Sequence, residues 1–359
     1  MRHRRHILRI VTGADRRGSC AFHDRRGALS AMSNRIRKLA IAAAGCMLAA
    51  AAGAADTARW PGASGGEPRV GVQVKIQSLT RDDARNIRDT GFAFVRFGAW
   101  AERLDQAAYR AQLDEAFAAA RSAGLPVLLT VRALGPLVPA HDAKTKTDAL
   151  ALAGRRMADA IAALAARHRH DLIAVELWNE PDLARYWPTG DVARTFPPFA
   201  VALCRALADA APGVPVVGFG FARAPLPGSV PDRLLAGVHA AAPGCLDAVS
   251  YHAYGMTPAQ IRAAARDIDT RYGLPAIVTE VGAASTGGDG EQRQAHRLRA
   301  LLDARGELHT PLISVYEWAD TASAGDAAQR AYGVVHADRS PKPALDALRA
   351  ALRTAPLPR

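Results

Sequence analysis

Glu180 and Glu280 stand in two short runs a hundred residues apart, Trp178-Asn179-Glu180-Pro181 and Thr279-Glu280-Val281-Gly282. In each run the Glu falls where an apolar, strand-like segment gives way to loop. Two carboxyl groups delivered to one place suit glycoside cleavage, in which one acid protonates the leaving oxygen and a facing carboxylate attacks the sugar or activates water. The acid must hold its proton near neutral pH, which burial and a second carboxylate promote. The nucleophile must stay ionised, which a cationic neighbour promotes.

The elements that would position such a pair are eight short apolar runs: 70–74, 93–97, 126–131, 172–178, 214–219, 248–251, 276–279 and 312–316. Between them lie stretches with apolar residues three or four apart, such as Tyr109, Leu113 and Phe117, or Phe199, Leu203 and Leu207, each offering one helical face to a sheet. Eight strand and helix units predict a single (β/α)8 barrel over residues 69–355, with a doubly wound open sheet as the alternative. Against the open sheet, Gln73-Val74-Lys75 follows the first strand where a glycine-rich phosphate loop would be needed. In a barrel, residues after the strands share the C-terminal rim. Arg96, Asn179, Glu180, His252, Tyr254, Glu280 and Trp318 all fall there.

The rest of the chain narrows the function classes. The chain has 359 residues and a net charge of +12, but residues 1–55 hold 11 Lys/Arg against 2 Asp/Glu, leaving 35 basic and 32 acidic side chains beyond them. No surplus large enough to track a phosphate backbone remains, so nucleic acid is not an expected partner. Residues 1–31 read as a non-folded or over-extended leader. From Met32 there follow Arg35, Arg37 and Lys38, an Ala-rich apolar run, and small residues before Asp56: the order of a signal peptide over 32–55, with a lipoprotein signal at Cys46 or a retained anchor as alternatives. Export to the periplasm or medium is expected, with no stable membrane insertion after cleavage and a linker over 56–68. Cys204 and Cys245 would then remain, as one bridge or as two separate thiols. No metal or other cofactor is expected, since HExxH and CxxC are absent and His168 and His170 flank Arg169 in what reads as a solvated basic turn.

The Asn-Glu-Pro after strand four, the His252-Ala253-Tyr254 after strand six, the Glu after strand seven and Trp318 after strand eight resemble the retaining glycoside hydrolases of clan A, over about Val70 to Leu352. With Phe94-Val95-Arg96, Tyr332-Gly333-Val334 and Lys342-Pro343-Ala344, the pattern looks most like family 39 and its bacterial relatives associated with exopolysaccharides. The resemblance implies Glu180 as general acid/base, Glu280 as nucleophile, and a poly- or oligosaccharide substrate. Arg96 and Tyr254 would then hold the nucleophile, Asn179 would meet the sugar 2-hydroxyl, and His252 would support the site or a sugar hydroxyl. Trp318 would offer a flat face to the sugar, with Trp178, Trp100, Tyr186 and Trp187 extending it. Trp178 reads equally as core, because it shares strand parity with Glu176 and Glu180. Glu176, deeper in its strand, is expected to be a buried, paired carboxylate without a chemical role. The loops 136–147 and 221–231 are expected to set specificity. A carbohydrate-binding barrel without catalysis and a transglycosylase using the same residues are the competing functions.

Overall fold

The computed structural model describes residues 67–138 and 143–353; the expected leader, the expected signal peptide and most of the expected linker lie outside them. Eight parallel strands close into a barrel in chain order: β1 (Arg69–Gln73), β2 (Phe94–Trp100), β3 (Val127–Arg132), β4 (Leu172–Leu177), β5 (Val216–Phe221), β6 (Ala248–His252), β7 (Ala276–Val281) and β8 (Leu312–Val315). Around it run α1 (Arg81–Thr90), α2 (Ala107–Ser122), α3 (Ala143–His168), α4 (Val192–Ala210), α5 (Val230–Ala241), α6 (Pro258–Tyr272), α7 (Gly290–Asp303) and α8 (Pro343–Arg353). The predicted (β/α)8 architecture is therefore present, with strand ends displaced by at most three residues.

Period-two alternation fills the barrel in layers. The lowest is a closed apolar plug of Phe94, Leu128, Ala174, Val217, Ala248, Ile277 and Leu312. Gly71 completes it, since a Cβ there would sit 2.5 Å from the Phe94 ring. Two residues further along the same parity the interior turns polar, with Arg96, Thr130, Glu176, Ser250, Thr279 and Ser314 all buried. Outward-facing residues of the strands pack against the helices in one large cluster that includes Val95, Phe97, Leu129, Val175 and Val249. An apolar floor under a buried polar layer leaves functional groups only one place to reach solvent, the C-terminal mouth.

Cys204 on α4 and Cys245 before β6 form a disulfide. His168 departs from the expected solvated turn. It is buried, with its ring stacked 3.7 Å from that of Phe117 and Nε2 3.3 Å from Asp114. No helix among the described residues is long and apolar enough to cross a membrane.

Candidate active site

Two β-bulges re-aim the rim. Against β6, Tyr251 and His252 pair with Val278 and Glu280, and against β8, Ile313 and Val315 pair with Val278 and Val281, so β7 carries one extra residue relative to both neighbours. Thr279 holds the inward parity begun by Ile277, and the extra residue lets Glu280 turn inward as well. The second bulge lies in β5, where Gly218 and Phe221 pair with Val249 and Tyr251. There Gly220 takes φ +56°, accepts from Glu180 N at 2.7 Å and donates to Ser250 Oγ at 2.7 Å. A Cβ on Gly220 would meet Glu176 Oε1 at 3.0 Å and the Trp178 carbonyl at 3.1 Å, so both the left-handed backbone and the close approach require glycine.

After β4 the chain leaves strand geometry at once. Trp178 has φ +73° and Glu180 φ +53°, costly conformations for non-glycine residues that cluster where side-chain placement matters. The first breaks the parity expected to run from Glu176 through Trp178. Trp178 is accordingly buried outside the cleft, its ring 4.8 Å from Trp187 and 5.4 Å from Phe199, with Nε1 donating to the Tyr186 carbonyl. It is core, and Trp187 is core beside it. Glu180 is instead directed into the mouth, where its Oε1 lies 2.8 Å from His252 Nδ1.

Arg96 organises the centre. Nε and Nη2 donate to Glu176 Oε2 at 2.9 and 2.7 Å, and Nη2 also donates to Asn179 Oδ1 at 3.0 Å. Nη1 donates to Gln73 Oε1 at 2.8 Å and to Glu280 Oε1 at 2.5 Å. All five N–H groups of the guanidinium are thus engaged. Thr130 Oγ1 adds a third bond to Glu176 Oε2, and Glu176, fully buried beneath the mouth, is the paired carboxylate expected. With its carbonyl committed to the guanidinium, Asn179 lines the cleft.

Glu280 is gripped at both oxygens, Oε1 by Arg96 and Oε2 by the Tyr254 hydroxyl at 2.8 Å. Burial opposes ionisation of Glu280, but the charges of His252 and Arg96 and the Tyr254 hydroxyl outweigh it and hold the carboxyl below the usual range. His252 answers in the opposite sense. Burial disfavours its cation, but Glu280 and Glu180 prevail and push its pKa up. Both acceptors near Nδ1 are carboxylate oxygens, so Nδ1 carries the proton. The ligating atoms of Glu180, His252 and Glu280 lie within 4.8 Å of one another, a spacing that could hold a cation. Arg96 and Tyr254 already bond the two oxygens of Glu280, and the fixed positive charge of Arg96 opposes a second cation there.

These residues open onto a cleft of about 650 Å³ lined by Asn179, Glu180, Tyr254, Glu280 and, on its flanks, Trp100 and Tyr186. Trp318 does not reach it. Buried beneath the β8–α8 connection, its Nε1 donates to Asp83 Oδ1 at 3.0 Å, and Arg339 clamps the same carboxylate. The aromatic that β8 delivers to the cleft is Tyr316, joined by Tyr332, and these two rings and Tyr254 stand edge to face at 5.5–6.1 Å. Tyr316 follows Ser314 by two, and Arg132 follows Thr130 by two, so parity counted upward from the plug would have found both. Glu317 turns away from Glu180 and Glu280, to Lys75 Nζ at 2.7 Å and Thr321. Among the described residues, none of 221–231 lines the cleft. Residues 139–142 of the other loop lie outside the described residues.

No protein-family model matches the chain, and no curated protein is similar to it in sequence. Solved structures are similar to it in fold. A family 39 glycoside hydrolase from the gut symbiont Bacteroides cellulosilyticus superposes with a TM-score of 0.60 at 18% identity, over 80% of this chain and 64% of that one. A glucosidase from Croceicoccus marinus gives 0.61 at 16%, over 80% and 68%. Xylanase B from Clostridium stercorarium gives 0.58 at 18%, over 79% and 96%. The likeness is one of fold, and the chain spans about two thirds of the length of the first two.

Proposed function

We propose that this chain is a retaining O-glycoside hydrolase that acts on an extracytoplasmic poly- or oligosaccharide by double displacement. The observation that carries the reading is the spacing of the carboxyl groups. Oxygens of Glu180 and Glu280 lie within 4.8 Å of each other, close to the spacing of a retaining pair, about 5–5.5 Å, and short of the about 6.5–9.5 Å at which an inverting enzyme fits a water beside the sugar. Glu280, ionised and fixed at both oxygens, is suited to attack the anomeric carbon. Glu180 would first protonate the leaving oxygen and then, as the conjugate base, draw a proton from the water that releases the sugar. Asn179, with its amide N–H groups free of Arg96, would donate to the sugar 2-hydroxyl, and Tyr316 and Tyr332 would supply flat apolar contact.

Solved barrels of this fold that act on glycosides support the carbohydrate class. Export is part of the proposal; the Cys204–Cys245 disulfide supports it, because such bonds persist in oxidising compartments. The test is a panel of aryl glycosides and bacterial polysaccharides incubated with the purified protein in EDTA, with the first-formed anomer read by proton NMR. Retention of configuration is expected; an inverted first product would reject the mechanism, and activity restored by one divalent ion would reject the metal-free site.

A further inference from the structure

Among the described residues four cations line the cleft, and two of them have no carboxylate partner there. Arg96 is committed to Glu176 and Glu280, and Lys75 to Glu317. Arg132, the last residue of β3, and Arg185, on the loop after β4, have no carboxylate within 4.0 Å among the described residues. Their guanidinium groups each lie 5.4 Å from the centroid of the Tyr186 ring. Arg132 is half-buried, and its one side-chain hydrogen bond among the described residues is a long one, 3.3 Å from Nη1 to the Ala133 carbonyl. Desolvation draws its pKa down, only partly offset by the more distant Tyr186, Glu102 and the catalytic carboxylates. Glu102 is exposed and spends Oε1 on the Leu134 backbone N–H. Glu180 is held by His252.

A desolvated cation without a counter-ion is costly, and an aromatic ring recovers only part of the cost. Holding two guanidinium groups against one tyrosine on the wall beside Glu180 makes sense when the missing acceptor arrives with the ligand. We propose that this wall recognises an acidic sugar, with the carboxylate of a uronic acid unit seated on Arg132 and Arg185. The planar guanidinium fork matches a carboxylate in two parallel bonds. A neutral sugar in the same place would leave the charge of Arg132 buried and unanswered. This deepens the glycosidase reading and rests on the cleft being a glycan site.

The test is calorimetric titration of full-length protein carrying Glu280→Gln, which blocks turnover. The probes are tetra- to hexasaccharides of galacturonate and of glucuronate, the same oligosaccharides after carboxyl reduction, their sulfated neutral counterparts, and neutral manno- and cello-oligosaccharides. At least one acidic oligosaccharide should bind about tenfold or more tighter than its carboxyl-reduced twin, with the advantage shrinking as salt rises. Arg132→Met should remove most of that advantage and Arg185→Ala part of it, while Arg223→Ala, exposed and away from the cleft, should leave it intact. Arg185 is exposed, so its variant keeps the test valid if Arg132→Met fails to fold. Equal binding of acidic and reduced forms, no binding of any acidic oligosaccharide, insensitivity to both arginines, or preference for the sulfated forms would each overturn the assignment. Continued turnover of neutral aryl glycosides with retention would show that the glycosidase reading survives that failure. Loss of both would sink the two together.

Discussion

His252 Nδ1 lies 2.8 Å from Oε1 of Glu180 and 3.4 Å from Oε2 of Glu280, so one buried imidazole stands between the two carboxylates. Its raised pKa and the lowered pKa of Glu280 are two sides of one interaction, since each charge stabilises the other. His252→Gln should therefore move the acidic limb of kcat/KM to higher pH, because Glu280 loses a cation that favours its ionised form. The stability consequence has the opposite pH sense. A histidine whose folded pKa exceeds its unfolded value of about 6.5 stabilises fully below that value and ceases to do so as pH rises through the folded pKa. Melting curves of wild type and His252→Gln should thus differ most below about pH 6 and converge in alkali. An unmoved acidic limb would show that His252 does not set the charge of Glu280.

Removal of each carboxylate should leave a different signature. Glu280→Ala should abolish turnover, with azide restoring part of it as a product of opposite anomeric configuration, because the small anion fills the vacated place and attacks the same face. Glu180→Ala should lower kcat by about 10²–10⁴ with a natural leaving group. With an activated aryl leaving group the first step should persist and deglycosylation stall, and azide should then yield a glycosyl azide of retained configuration. Swapped outcomes would mean that the two roles are reversed.

Tyr316 and Trp318 separate the cleft from its support. Tyr316→Ala should reduce kcat/KM by about 5–30-fold, the equivalent of about 1–2 kcal/mol of lost contact, while the protein melts nearly normally. Trp318→Phe should leave kcat/KM close to wild type but cost about 1–3 kcal/mol of stability, since Asp83 loses a buried donor. Thermal melts beside steady-state kinetics decide it. A kinetic defect in Trp318→Phe at full stability would return Trp318 to the cleft.

Alternation made the barrel legible. Eight apolar runs separated by amphipathic stretches admit few folds, and Arg96, Asn179, Glu180, His252, Tyr254 and Glu280 do converge at the mouth as their strand ends imply. Three features were hidden from a local reading, each with a physical cause. Trp178 left the interior because its backbone turns left-handed one residue after β4 ends. Glu280 joined the interior through a bulge that exists only relative to β6 and β8, and pairing register is a long-range property that no local window contains. Trp318 was drawn away by Asp83, which lies 235 residues earlier in the chain and also closes the capping box of α1. The glycines of Gly218-Phe219-Gly220 inside an apolar strand were a readable sign of the β5 bulge. That they anchor Glu180 was not readable.

Glu176 is the carboxylate that sequence alone most easily confuses with a catalytic one, and Arg96 ties it to the chemistry without giving it a part. One guanidinium bridges Glu176 and Glu280, so Glu176→Gln removes one of two buried counter-charges and leaves the other in place. Breaking a buried pair costs about 3–5 kcal/mol, and the surviving contact to Glu280 puts the expected loss at the lower end. Burial opposes ionisation of Glu176, but Arg96, His252 and the threonine hydroxyls overcome it and hold its folded pKa below the ordinary value. A depressed carboxyl stabilises above its unfolded pKa of about 4.3 and stops doing so as pH falls through the lower folded value. The gap in melting temperature between wild type and Glu176→Gln should therefore be full at pH 6 and narrow below about pH 4. The kinetic effect should be small beside that of Glu280→Ala, within about tenfold in kcat, because Arg96 keeps its bonds to Glu280, Gln73 and Asn179. If Glu176→Gln proves as inactive as Glu280→Ala while melting like wild type, the lower carboxylate takes part in the reaction, and the division between a structural and a chemical acid on Arg96 is wrong.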